Sequence, residues 1–195
     1  NAAGIGTVIY NDNIAIGHNA AANMTEGACN IAIGKQALGS GTVTGAINIA
    51  IGCLAGNALT SGNNNIFMGA FTGAQSTDAY SNVFIGESAG GYVSGAANRN
   101  IALGHCAGYR ITTGRFNIML GNCTAKSGLL AGDDNFIVGR QSGLAVTSGD
   151  DNILIGKYTG CSLTTTGNNV ILGNQAGTFT AGGYNIFFGR CAGYG

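Results

Sequence analysis

Histidine, cysteine and aspartate are the side chains best suited here to bind a metal, attack an electrophile or move a proton. The chain has two histidines, His18 and His105, and six cysteines, Cys29, Cys53, Cys106, Cys123, Cys161 and Cys191. A zinc enzyme gathers several ligands on one ion, and general acid–base catalysis needs a histidine or carboxylate placed within reach of its substrate. Two isolated histidines form a metal site only if an oligomer collects copies of His105 in a ring; otherwise both are surface side chains. No C-x-x-C occurs, which argues against a zinc knuckle or a dithiol redox motif. Cys106 and Cys123 are 17 residues apart. Stacked one strand spacing apart, about 4.8 Å, they lie within disulfide range, and small buried thiols kept reduced are the alternative.

The doublets Asp133-Asp134 and Asp150-Asp151 share that 17-residue spacing. Their four carboxylates either hold a cation or form a solvated edge. A calcium-binding β-roll repeats its aspartates every nine or so residues, and no such period is present. Glycine-rich Ser88-Ala89-Gly90-Gly91 lacks the Lys-Ser/Thr that completes a phosphate loop. These residues call for no cofactor and assemble no catalytic cluster, so the expected protein is not an enzyme.

The elements that position these residues come from a repeat. An Asn followed by three apolar residues and a Gly recurs at Asn13, Asn30, Asn48, Asn65, Asn82, Asn100, Asn117, Asn135, Asn152, Asn169 and Asn185, at intervals of 16 to 18 residues. The fourth residue after each anchor is glycine: Gly17, Gly34, Gly52, Gly69, Gly86, Gly104, Gly121, Gly139, Gly156, Gly173 and Gly189. A small residue and a second Gly often follow, as in Ala55-Gly56, Ala89-Gly90 and Ala176-Gly177. The array runs through residues 1–195 with no internal domain boundary. It starts and stops in mid-unit, at Ala3-Gly4 and Ala192-Gly193, as expected of a segment of a longer fibre.

Apolar trios such as Ile14-Ala15-Ile16 are too short for a helix and rich in β-branched residues, so each reads as a short strand. The expected fold is all-β: a parallel β-solenoid, a β-roll or β-helix, of about eleven 17–18-residue coils. Stacked anchors would form an amide ladder. The corner glycines would turn the chain where a Cβ clashes. First and third trio residues, uniformly large, are expected inside the coil. The middle residue then points outward, yet it is apolar in every unit: Ala15, Ala32, Ala50, Phe67, Phe84, Ala102, Met119, Ile137, Leu154, Ile171 and Phe187. Strands apolar on both faces are buried on both. These eleven side chains are therefore expected to form an inter-chain seam around a shared axis, widening toward the C-terminal end. A second strand is expected where Met24, Leu59, Val93, Ile111, Val146 and Leu163 turn inward beside a column of Thr25, Thr42, Thr60, Thr77, Ser94, Thr112, Thr147 and Thr164.

Composition narrows the function further. Eight Lys+Arg balance eight Asp+Glu in a chain with 36 Gly and no Pro. Zero net charge argues against a nucleic-acid partner, which needs a basic surface. No apolar run approaches the roughly 18 residues of a membrane span, so no membrane insertion is expected of this segment.

Asn30-Ile31-Ala32-Ile33-Gly34 and Asn48-Ile49-Ala50-Ile51-Gly52 resemble the repeats in heads of trimeric autotransporter adhesins. The longer unit, Asn48 through Gly62, is similar to repeats of phage tail-fibre proteins. The resemblance implies a homotrimeric fibre or adhesin shaft, a structural protein at a virion, extracellular or cell surface that projects a tip toward a cell-surface glycan or receptor. The alternative function is an ice- or glycan-binding solenoid. Its sites would be the Thr ladder or the loop aromatics Tyr92, Tyr109, Phe179 and Tyr194.

Overall fold

A computed structural model describes residues 12–93, 97–178 and 182–194. Each apolar trio is a three-residue strand: β1 (Ile14–Ile16), β2 (Ile31–Ile33), β3 (Ile49–Ile51), β4 (Ile66–Met68), β5 (Val83–Ile85), β6 (Ile101–Leu103), β7 (Ile118–Leu120), β8 (Phe136–Val138), β9 (Ile153–Ile155), β10 (Val170–Leu172) and β11 (Ile186–Phe188). They form one parallel sheet in sequence order. Equivalent residues pair throughout, for example Ala15 with Ala32 and Ile171 with Phe187. The chain is therefore a parallel β-solenoid, one strand per coil.

A coil of this length has no room for a crossover helix, so it turns by left-handed backbone. In the β6 coil Arg99, Gly104, Cys106 and Gly108 have φ of 57°, 131°, 53° and 53°. At the corner column a glycine is required twice over. Its φ is disfavoured for residues with a Cβ, and a Cβ on Gly104 would lie 2.6 Å from the carbonyl oxygen of Gly121.

The buried face of the strand is the reverse of the expected one. The middle residues Ala32, Ala50, Phe67, Phe84, Ala102, Met119, Ile137, Leu154 and Ile171 are wholly enclosed within the chain itself, and Ala15 and Phe187 are half-buried against the same core. They are not an inter-chain seam. The first and third residues of each strand point outward instead. The cause is strand alternation: the anchor Asn lies two residues before the middle position, and both face inward. Nor does the Ala-to-Phe variation record a widening axis. It is compensated inside the coil. Ala32 is accompanied by buried Leu38, whereas the ring of Phe67 fills the space beside Gly56 and Gly73, where a Cβ would come within 2.9 Å of it. Phe67 stacks on Phe84 of the next coil with centroids 5.5 Å apart.

The second strand is also absent from the described residues. Met24, Leu59, Val93, Ile111, Val146 and Leu163 do turn inward and are buried. That segment, however, makes only isolated bridges, Met24 with Val43, Tyr80 with Asn98 and Ile111 with Leu130. Left-handed residues on either side keep the backbone from extending long enough to form a ladder.

Candidate functional site

The anchor asparagines are the internal frame. From Asn30 to Asn169 they are buried, and Asn13 and Asn185 are half-buried. Asn100 shows the pattern. Its Nδ2 donates to Asn82 Oδ1 at 3.2 Å and to the Gly114 carbonyl at 2.8 Å. Its Oδ1 accepts from the backbone N–H of Asn117 at 3.0 Å and from Asn117 Nδ2 at 3.1 Å. Four bonds thus satisfy a fully buried amide, as burial requires. The small residue beyond the corner helps in some coils: Thr72, Thr124 and Thr159 donate their hydroxyls to the carbonyls of Gly86, Gly139 and Gly173 in the following coil.

The titratable residues are scattered around this frame. His18 and His105 are both exposed, in coils β1 and β6. His105 Nε2 lies 3.5 Å from Cys106 Sγ, and its Nδ1 lies 3.4 Å from Asn122 Nδ2. Among the described residues no three histidines, cysteines or carboxylates are grouped to hold a metal ion. Cys106 and Cys123 stack in one column as free thiols. Burial pushes the Cys106 thiol above its ordinary range, partly offset by Lys126, with the neighbouring Cys123 and Glu87 adding to the rise.

The aspartate doublets have a structural role that spacing alone did not reveal. Asp133 Oδ1 accepts the backbone N–H of Arg115, and Asp150 Oδ1 accepts that of Asp133. Asn63 and Asn98 do the same for Ala46 and Tyr80. The carboxylates tie one coil to the next along an exposed edge, and Asp133 also pairs with Arg115 at 3.3 Å.

Of the threonine column, Ser94 lies outside the described residues. Thr60, Thr112 and Thr147 donate to the carbonyls of Thr77, Leu130 and Thr164. None of them lies on the sheet. Among the loop aromatics, Tyr92 and Tyr194 are exposed and Tyr109 is half-buried. Phe179 lies outside the described residues.

The outer face of the sheet carries two apolar columns, the first and third residues of β1 through β11. The interior positions still expose hydrocarbon: Met68 is 38%, Ile85 39% and Ile153 40% exposed. Along one edge runs the left-handed column before the anchors, which includes Arg99, Asp134 and Asp151 but also Ile47 and Phe116. Along the other runs the residue after each corner glycine, including Lys35, Glu87, Arg140 and Lys157. An apolar strip with a mostly polar rim has the anatomy of a protein interface.

The fold and this face define a β-solenoid repeat protein with one flat apolar side. No protein-family model matches the chain, and neither a curated protein nor a solved structure is significantly similar to it.

Proposed function

We propose that this chain is a non-catalytic structural rod, a fibre or adhesin shaft that assembles as a homotrimer through the outer face of its sheet. The observation that carries the reading is the double apolar column. Eleven strands at about 4.8 Å, with the two columns roughly 7 Å apart, make a strip on the order of 400 Å². That is comparable to the largest apolar patch a typical monomer leaves exposed. With its flanking residues it approaches the roughly 800 Å² that each partner contributes to a stable interface. The number of copies and the location at a virion or cell surface rest on the resemblance to fibre repeats. Recognition of a glycan or receptor would fall to parts other than this shaft.

Mass photometry of the purified chain, with a Leu103→Asp variant beside it, tests the reading. Three copies are expected for the native chain. The variant should dissociate with its far-ultraviolet circular dichroism unchanged. A native chain that stays monomeric at micromolar concentration would sink the proposal.

A further inference from the structure

The structure assigns Cys106 and Cys123 as a redox site, a dithiol that a small-molecule disulfide closes into a cross-link between two coils. The inference goes beyond the shaft reading and holds for the chain alone or assembled. The two residues stand second after Gly104 and Gly121, so they occupy one column in successive coils. Both have left-handed backbone, with φ of 53° and 55°. Hydrogen bonds fix the register around them. The Gly121 N–H donates to the Leu103 carbonyl at 2.8 Å, and the Cys123 N–H to the His105 carbonyl at 2.9 Å. Beyond them the Gly108 N–H donates to the Thr124 carbonyl at 2.9 Å. No other two of the six cysteines are placed in this way. Cys29 precedes an anchor Asn, Cys53 follows a corner Gly, and Cys161 stands five residues after one. Cys191 shares the column but lies four coils from Cys123, roughly 19 Å at the β spacing.

Coils stacked about 4.8 Å apart put the two Cα atoms within the range of about 4.4–6.8 Å that disulfides span. Equivalent positions also hold their Cβ atoms about 4.8 Å apart, wider than the roughly 3.8 Å of a relaxed bridge. Closure therefore draws the two turns together by about 1 Å. A bridge made at that cost is readily reduced again. Redox surroundings then set whether the β6 and β7 coils are tied, and in a solenoid such a tie acts on those coils and their neighbours.

The two surroundings divide the chemistry. Cys123 is half-buried and open to a reagent, whereas Cys106 is 7% exposed. The Cys123 thiolate attacks one sulfur of the incoming disulfide, whose S–S bond breaks and whose other half leaves as thiolate. The Cys106 thiolate then attacks the Cys123 sulfur and expels the second half. In sum the two protein thiols lose two protons and two electrons, and one reagent disulfide departs as two thiols. The Lys126 charge favours the Cys106 thiolate against its burial. His105 Nε2 lies 3.5 Å from the sulfur that must shed its proton.

Glutathione disulfide is the probe. After incubation of the purified chain, free thiols are blocked with N-ethylmaleimide in denaturant and the chain is digested with trypsin without reductant. Cleavage after Arg99, Arg110, Arg115 and Lys126 leaves the two cysteines on separate peptides, 100–110 and 116–126. The expected product is these two peptides joined, lighter by two hydrogens than their sum, from a chain that runs as a monomer on a non-reducing denaturing gel. Dithiothreitol should release them. Cys106→Ser should instead accumulate glutathione on Cys123, and Cys123→Ser should leave Cys106 largely unmodified. Oxidation should slow hydrogen exchange in β6 and β7 of the native chain roughly tenfold or more, and in neither variant. Three results overturn the inference: no joined peptide once exposed Cys29 carries glutathione, a link between different chains, or equal yields of pairs with Cys29 or Cys191. Unchanged exchange in a chain that does form the link overturns the coupling to coil stability.

Discussion

Replacing Asn100 by Ala tests the asparagine frame most directly. The substitution removes four hydrogen bonds in a fully buried environment. Asn82 Oδ1 keeps the backbone N–H of residue 100, 3.0 Å away, as a donor. The Gly114 carbonyl, the backbone N–H of Asn117 and one Nδ2 hydrogen of Asn117 lose their partners. At about 1–3 kcal/mol for each buried group left unpaired, partly relieved by relaxation, the cost is about 3–6 kcal/mol. Asn100→Asp should cost at least as much, because it buries a charge that cannot donate to Asn82 or Gly114. Asn185 provides the contrast. It is half-buried and donates to Asn169 Oδ1 and the Gly182 carbonyl, so Asn185→Ala should cost about 1 kcal/mol. Urea denaturation followed by circular dichroism measures all three. Hydrogen exchange locates the damage, which should concentrate in the coils next to β6, since each coil of a solenoid contacts only its neighbours. If Asn100→Ala and Asn185→Ala cost the same, within about 0.5 kcal/mol, buried amide pairing does not hold the coils together.

Three further outcomes follow from the same geometry. Gly104→Ala combines a φ of 131° with a Cβ 2.6 Å from the Gly121 carbonyl, and should lose about 2–4 kcal/mol. Gly182→Ala, whose nearest neighbour is 3.9 Å away, should be close to neutral in the same melts. Phe67→Ala, which removes a fully enclosed ring stacked on Phe84, should cost about 3–5 kcal/mol, and a loss under 1 kcal/mol would mean the core closes over the gap. Cys106, its thiol raised by burial, should alkylate more slowly than exposed Cys29 or Cys191 at pH 8. The sign for stability follows: a pKa raised in the folded state gives a contribution that is complete below the ordinary thiol value of 9.0 and is lost as pH rises through the folded value. Denaturation midpoints of native and Cys106→Ser chains between pH 8 and 10.5 should therefore converge as pH rises.

The coil length, the strand positions, their parallel register and the stacked asparagines were legible from spacing alone, because a repeat of 16 to 18 residues leaves a parallel stack few other solutions. The direction of the strand was not. All three residues of each trio are apolar, so hydrophobic pattern could not say which side met the core. One signal in the chain did carry the answer. A stacked amide ladder must be shielded from water, and strand alternation puts the residue two positions after the Asn on the same side. The aspartate doublets were illegible for another reason: their partners are backbone N–H groups of the preceding coil, and no side-chain spacing records them.

The reversal of the strand strengthens the case for assembly while relocating it. A seam of middle residues would have offered one column, with several alanines, to a partner. The outer face offers two columns of mostly branched aliphatic side chains. Covering a strip on the order of 400 Å² at about 25 cal/mol/Å² contributes roughly 10 kcal/mol per chain. Lost translational and rotational freedom alone takes about 4–15 kcal/mol from each association step. The surplus is small enough that wrong pairings of the same greasy face, shifted or antiparallel, would lie close in free energy to the right one. The coils are nearly identical, so apolar contact by itself discriminates weakly among registers. Selection must then come from what differs between coils, which on this face is the size of the side chains along the two columns, such as Met68, Val83 and Phe136, together with the charges on the two edges.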